Sequence, residues 1–190
     1  LEDMAKIQRD PAQYLGFVEV HIEQGPVLNE LNLPLGVVSS INGSVRYQCA
    51  VIGMASHAGT TPMNRRRDAA CAVAELALYL ERRAAQDGDS VATIGQLQVP
   101  NGSINVVPGE CQFTLDLRAP TNEQRDALAR DVLAELAAIC ERRGVRHRAE
   151  QTLSASAAPS DPTWMARWEK AVTALGLPTF KLPSGPGHDA

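Results

Sequence analysis

Of the four histidines in the chain, two lie near its opposite ends in settings that suit metal ligation. His21 stands in Val-Glu-Val-His-Ile-Glu-Gln-Gly-Pro (18–26), an apolar, strand-like run that stops at Gly25-Pro26. His188 follows the glycine-rich turn Pro-Ser-Gly-Pro-Gly (183–187). Strand ends and tight turns fix an imidazole ring and let a second group hold its other nitrogen, which is what a ligating histidine needs. Each position also suits a plainer role, His21 as a hydrogen-bonded core residue and His188 as part of a flexible chain end. His57 sits among small residues in Gly-Met-Ala-Ser-His-Ala-Gly-Thr-Thr-Pro-Met (53–63). Such a loop admits a close-lying substrate, and its ring can stabilise an oxyanion; a surface-loop histidine fits the same pattern. Arg118 ends a strand-like run before Ala119-Pro120, where a guanidinium fork can grip a carboxylate or pair with Asp116 or the next helix. Asn105, in Gly-Ser-Ile-Asn-Val-Val-Pro-Gly, can orient a substrate through its amide or serve the turn. His147, between Arg146 and Arg148, reads as a solvated polar position.

Periodicity supplies the elements that would hold these residues. Residues 15–23 read as a strand, as do Leu35–Ile41 and Val45–Met54, with Asn42-Gly43-Ser44 as a tight reversal between the last two. Ala69, Val73, Leu76 and Leu80 recur at helical spacing within a helix from about Asn64 to Gln86. The Arg65–Asp68 run opens that helix and faces solvent, with Arg67 and Asp68 placed to brace the His57 loop. Strands are expected over Val91–Val99 and Cys111–Ala119; in the second, Phe113, Leu115 and Leu117 alternate with polar residues. Thr121 or Asn122 caps a helix running to Arg143, Gly144 stops it, and Val145–Leu153 returns as a strand. From residue 45 to 153 the order is strand–helix–strand–strand–helix–strand, the split arrangement of a ferredoxin-like sandwich. A short helix from Asp161 to about Leu175 and a brief strand at Thr179–Leu182 complete the chain. Residues 1–35 and 154–190 thus read as two pieces of one outer domain, interrupted by an inserted domain over 36–153.

Bulk composition narrows the function classes. A net charge of −4 gives no electrostatic reason to expect nucleic acid or an anionic membrane. No apolar run reaches the roughly 18 residues of a membrane span, and no signal-peptide pattern opens the sequence. Cys49, Cys71, Cys111 and Cys140 form no CxxC pair and read as structural thiols of a reducing cytoplasm. A start at Leu1 and an end just past His188 suggest a portion of a larger protein.

Five segments together resemble the family of allantoate amidohydrolases, N-carbamoyl-L-amino-acid hydrolases and β-ureidopropionases. They are His-Ile-Glu-Gln-Gly-Pro-Val-Leu (21–28), Ser-His-Ala-Gly-Thr-Thr-Pro-Met with Arg-Arg-Asp-Ala (56–69), Asn-Val-Val-Pro-Gly (105–109), Asp-Leu-Arg (116–118) and Ser-Gly-Pro-Gly-His-Asp-Ala (184–190). The resemblance implies an α/β fold: a partial zinc-peptidase-like catalytic domain interrupted by a ferredoxin-like (βαββαβ) α+β lid that also makes the dimer contact. It implies His21 and His188 as ligands of two different divalent ions, zinc or manganese first and cobalt or nickel after them. By the same resemblance Gln24, Asn105 and Arg118 bind substrate, with Arg118 on its carboxylate. His57 is then the catalytic residue, bound to the substrate oxyanion in the partner subunit's site. The implied reaction is hydrolysis of a ureido (N-carbamoyl) or related amide bond of a small carboxylate by a metal-activated water, in a cytoplasmic homodimer.

The family pattern also contains an upstream His-x-Asp and a Glu-Glu pair, and residues 1–20 hold neither. Pro186 stands where a small residue is more usual. Two imidazoles fall short of the three protein ligands a catalytic zinc ordinarily has, so the 190-residue chain alone is expected to be inactive. The alternative is a non-catalytic dimerisation or ligand-binding module that keeps the lid without a complete metal centre. An aminoacylase or dipeptidase is a third reading, and Glu-Gln-Gly-Pro (23–26) argues against it.

Overall fold

Ten residues of alternating character organise the chain. The computed structural model describes residues 10–189, and at its centre β7 (Glu110–Ala119) places Cys111, Phe113, Leu115, Leu117 and Ala119 on one buried face. β7 pairs antiparallel with β2 (Gly43–Ile52) from Gly43↔Ala119 to Ile52↔Glu110 without a break in register. β4 (Val91–Thr93) joins the far side of β7, and β8 (Arg146–Ala155) joins β2, giving the sheet order β4-β7-β2-β8. The short β5 (Leu97–Gln98) also pairs with β7. The stretch read as one strand over Val91–Val99 is therefore two, separated at Ile94-Gly95-Gln96 where Gln96 instead accepts from the Thr114 amide.

Two helices cover the apolar face. α2 (Ala69–Ala85) begins at Asp68, whose carboxylate caps the amides of Ala70 and Cys71. Its buried stripe is Ala69, Ala72, Val73, Leu76, Leu80 and Ala84. The preceding residues 63–65 form a separate single 3-10 turn, so the helix starts five residues later than its pattern suggests. The extended backbone of Arg66 and Asp68 interrupts it there, and Asp68 is the stronger cap. α3 (Asn122–Arg143) is capped by the Thr121 hydroxyl and closed by Gly144, whose φ of 63° is the left-handed conformation glycine adopts freely. Leu128, Val132, Leu136 and Ile139 complete a core with Leu76 and Leu115. From β2 to β8 the elements run β2, β3 (Ser56–His57), α2, β4, β5, β6 (Val106–Val107), β7, α3 and β8, with β3 and β6 paired in a small sheet of their own.

A second, three-stranded sheet lies outside this sandwich. β1 (Val37–Ile41) pairs in parallel with β10 (Lys181–Ser184) and antiparallel with β9 (Ala158–Pro159). Asn42-Gly43 therefore makes no hairpin; it passes the chain from one sheet to the other. A side chain at Gly43 would come within 2.8 Å of the Ala157 backbone nitrogen, so the crossing needs a glycine for its close approach. α4 (Pro162–Ala174), capped by Asp161, packs on β1.

Residues 15–23 form no strand. Their alternating apolar side chains stay in solvent, Leu15 at 95% exposure and Val20 at 88%, because no neighbouring strand among the described residues offers them a ladder. The single-turn α1 (Val27–Glu30) follows, its first amides bonded by the Glu23 carboxylate. Residues 1–9 and Ala190, the two extremes of the expected outer domain, lie outside the described residues. Leu76 is fully buried between α2, α3 and β7, so Leu76→Ala is expected to lower unfolding free energy by about 3 kcal/mol in a urea titration. A loss below about 1 kcal/mol would show that the helices do not share this core.

Candidate active site

The two terminal histidines meet. Their rings stack with centroids 4.3 Å apart and planes inclined by 17°. His21 lies on the exposed 15–23 segment, and its Nδ1 donates to its neighbour's carbonyl at Ile22, 2.6 Å away. A carbonyl can only accept, so the proton sits on Nδ1 and the Nε2 lone pair is left free, as a metal ligand requires. His188 is differently engaged: Ser184 Oγ lies 2.8 Å from Nε2, and Glu19 Oε1 lies 3.8 Å from Nδ1. Glu19 also accepts from the Asp189 amide at 3.0 Å, tying the terminal loop to the 15–23 segment.

Ring nitrogens project their lone pairs in the ring plane, so two near-parallel rings do not converge on one ion at the ~2.0–2.1 Å of a zinc–nitrogen bond. If they hold metal, each would therefore serve a different ion. Among the described residues no group of three or more His, Cys, Asp or Glu side chains is gathered to hold an ion. Two imidazoles flanked by a carboxylate are the ligand types of zinc or manganese. They fit as part of such a site and not as the whole.

Beside the histidines opens a cleft of about 910 Å³, bounded by the open face of the sheet and by Gln24, Gly185 and Pro186. Gln24 takes φ 53°, unusual for a residue with a side chain, at the bend between the 15–23 segment and α1. Arg118 and Asp116 project from β7 into the cleft, opposite the face that packs on the helices. Arg118 donates from Nε to Asp116 Oδ1 and from Nη2 to Asp116 Oδ2, both at 2.8 Å, and from Nη1 to the Gly185 carbonyl at 2.8 Å. Arg46, directly opposite Asp116 across the β2–β7 ladder, adds a bond from Nε to Oδ2 at 2.9 Å. The Arg118 hydrogen bonds, helped by Arg46, hold the Asp116 carboxyl below the usual carboxylate range, and Asp116 in turn raises Arg118. Of the roles the sequence offers for Arg118, the pairing with Asp116 is formed, and the paired guanidinium lines the cleft.

His57 and Asn105 form a second cluster. β3 (Ser56–His57) pairs with β6 (Val106–Val107), and the Ala58 amide donates to the Asn105 carbonyl at 2.8 Å. His57 Nδ1 accepts from the Gly59 amide at 3.0 Å, which leaves Nε2–H as the donor facing solvent. The loop is braced by Arg66, which donates to the carbonyls of Ala58 at 2.6 Å and Thr61 at 3.1 Å. The Arg67 and Asp68 side chains do not make that brace: Asp68 is spent on capping α2, and Arg67 bridges Met54 through its backbone. This cluster follows the Ile52 end of β2, whereas Arg118 pairs near its start at Ser44. At about 3.4 Å per residue the ladder separates the two ends by about 27 Å. His147 is exposed on β8, opposite Val51 of β2.

The four cysteines are free. Burial pushes the Cys49 thiol up to about 12 and raises Cys111 and Cys140 as well. Cys71 is exposed on α2 rather than interior, and desolvation with nearby Asp68 raises it too, so none is an activated thiolate. Sequence reading passed over Arg46, Glu19 and Ser184. Arg46 and Glu19 carried a usable signal: Glu19 is two residues from His21 in an alternating segment, and Arg46 stands in a strand with Asp116 in its facing strand.

Residues 39–144 match the family model described as a peptidase dimerisation domain. The N-carbamoyl-L-amino acid amidohydrolase of Geobacillus stearothermophilus is 39% identical over 95% of this chain and 44% of its own length. The allantoate deiminase of Arabidopsis thaliana is 35% identical over 100% of this chain and 41% of its own. A crystal structure of a hydantoinase/carbamoylase family amidase from Burkholderia ambifaria superposes with a TM-score of 0.86 at 38% identity, covering 90% of this chain and 42% of that one. The chain belongs to the peptidase dimerisation domain family, alongside relatives named N-carbamoyl-L-amino acid amidohydrolase and allantoate deiminase. It spans less than half the length of these curated relatives.

Asp116 titrates below its unfolded value, so the stabilisation from its arginine pair is complete above about pH 4 and is lost as pH falls through the folded midpoint. Arg118→Gln is expected to raise that midpoint in a carboxyl-carbon NMR titration. An unmoved midpoint would contradict the bidentate pair.

Proposed function

We propose that the chain is the lid and two flanking catalytic pieces of a metal-dependent amidohydrolase that cleaves the ureido or amide C–N bond of a small carboxylate, such as an N-carbamoyl-L-amino acid or allantoate. The observation that carries this reading is that His21 and His188, drawn from opposite ends of the sequence, stack on one another next to the residues, Gln24 and Gly185, that line a cleft with Arg118. In this reading β2 to β8 is the ferredoxin-like lid. Residues 1–35 and 154–190 belong to the catalytic domain, and the pairing of β1 with β9 and β10 argues for carrying the first boundary on to Asn42. Four free thiols suit a reducing compartment, and we place the protein in the cytoplasm.

Arg118 holds the substrate carboxylate, and Gln24 lines the same cleft with an amide that can orient the ureido group. His21 and His188 each contribute one imidazole to a pair of divalent ions, zinc or manganese, with cobalt or nickel as further candidates. Such ions supply Lewis acidity toward the amide carbonyl and acidify water at the site. His57 offers Nε2–H to the developing oxyanion. The length of sheet between His57 and Arg118 argues that His57, with Asn105 beside it, serves the site of a second copy, so the working form is a homodimer joined through the lid. The absence of a three-ligand cluster among the described residues favours one other reading, a lid-bearing module that binds or dimerises without catalysing.

Ammonia release separates the two. The protein encoded by the native reading frame should liberate ammonia from N-carbamoyl-L-alanine or allantoate when supplied with zinc or manganese, and stop when chelated. A metal-loaded protein inert toward both would favour the binding module. In the active enzyme Arg118→Ala is expected mainly to raise KM, and His57→Ala mainly to lower kcat by roughly 100-fold or more, the scale of losing one oxyanion donor. The reverse pattern would overturn both assignments. The chain alone should run as a dimer in light scattering at tens of micromolar, and a monomer there would count against the lid contact.

A further inference from the structure

Arg118 is fixed before any substrate arrives. A free arginine side chain samples many rotamers, and ordering it on binding lowers affinity. Here the guanidinium is held edge-on by both oxygens of Asp116, two residues along the same strand, at 2.8 Å each. Asp116 is itself held by Arg46 across the ladder at 2.9 Å, in a directly opposed cross-strand pair. These three are the charged residues lining the cleft, and two positive charges against one negative leave it a single net positive charge. The third Arg118 bond, from Nη1 to the Gly185 carbonyl at 2.8 Å, spans from the sheet to the loop that carries His188.

We propose that Asp116 is the positioning residue of the substrate-binding site: it holds the Arg118 fork in its carboxylate-reading pose, and the Gly185 carbonyl occupies the donor that a substrate carboxylate takes. The inference rests on the amidohydrolase reading above. An Arg118 guanidinium has five N–H donors, of which Asp116 takes two and Gly185 one. A carboxylate reaching the outer edge of the fork replaces a neutral acceptor with a charged one, a stronger partner for the same N–H. Asp116 keeps its two bonds throughout. Arg46 keeps Asp116 from turning away as the substrate binds.

The experiment is steady-state kinetics on the native-frame enzyme with N-carbamoyl-L-alanine, comparing Asp116→Asn, Asp116→Glu and Arg118→Ala with the parent. Asparagine keeps the shape but loses one acceptor and the charge, so Asp116→Asn is expected to raise KM about 3- to 10-fold, the effect of releasing one ordered side chain, with kcat little changed. Asp116→Glu restores the carboxylate on a longer arm and should recover part of that rise. Equal losses in kcat and KM, with no recovery by glutamate, would make Asp116 a structural residue and overturn the inference. A raised KM in Arg118→Ala with an unchanged KM in Asp116→Asn would overturn it while leaving the amidohydrolase reading intact. No effect of Arg118→Ala on KM would remove the carboxylate assignment itself, and this inference with it.

Discussion

One strand ladder governs both halves of the molecule's behaviour. The unbroken register of β2 against β7 fixes which side chains face the helices and which face the cleft, because a shift by one residue would exchange the two sets. In the observed register Cys111, Phe113, Leu115 and Leu117 enter the core, and Thr114, Asp116 and Arg118 look out the other way. The stability of the sandwich and the placement of the guanidinium fork therefore have a common cause. A substitution that loosens the core under β7 loosens the fork as well.

That ladder joins the rest of the chain at few points. Asn42-Gly43 leads in, residues 155–157 lead out, and the Arg118–Gly185 bond crosses between. The N-terminal end of α3 closes on the exit: Asn122 accepts from the Ala157 amide at 2.9 Å, and buried Arg125 donates to the Ala155 carbonyl at 2.5 Å. Two of the contacts thus hold the backbone where the chain changes sheets, and the third lies inside the cleft. On the proposed function, substrate exchanging onto Arg118 would act on this contact to the loop that carries His188.

Elements set by local rules were legible from the sequence. The alternation of β7, the heptad-like stripe of α2 and the Thr121 and Gly144 caps of α3 each express a local rule; β7 and α3 form where the rule places them, and α2 keeps its stripe but starts later, at the Asp68 cap. The run at 15–23 has the same alternation as β7 and forms no strand, because a strand exists only through its neighbour. Asn42-Gly43 has hairpin chemistry but serves a crossing between sheets, a difference decided by the distant pairing of β1 with β10. Resemblance supplied His21, His57 and His188 as candidates, whereas the stacking of His21 on His188 and the Arg46–Asp116–Arg118 array are products of folding. Residue types suggested these partners; only the register decided who met whom.

The account's central claim is that Arg118 reads a substrate carboxylate beside the two histidines. A crystal structure of the native-frame protein soaked with an N-carbamoyl amino acid tests it most directly. The carboxylate should lie within about 2.7–2.9 Å of Arg118, displacing the Gly185 carbonyl while Asp116 keeps its bonds, with the ureido group toward His21 and His188. A ligand bound elsewhere, or Arg118 still holding Gly185 with the ligand in place, would contradict it.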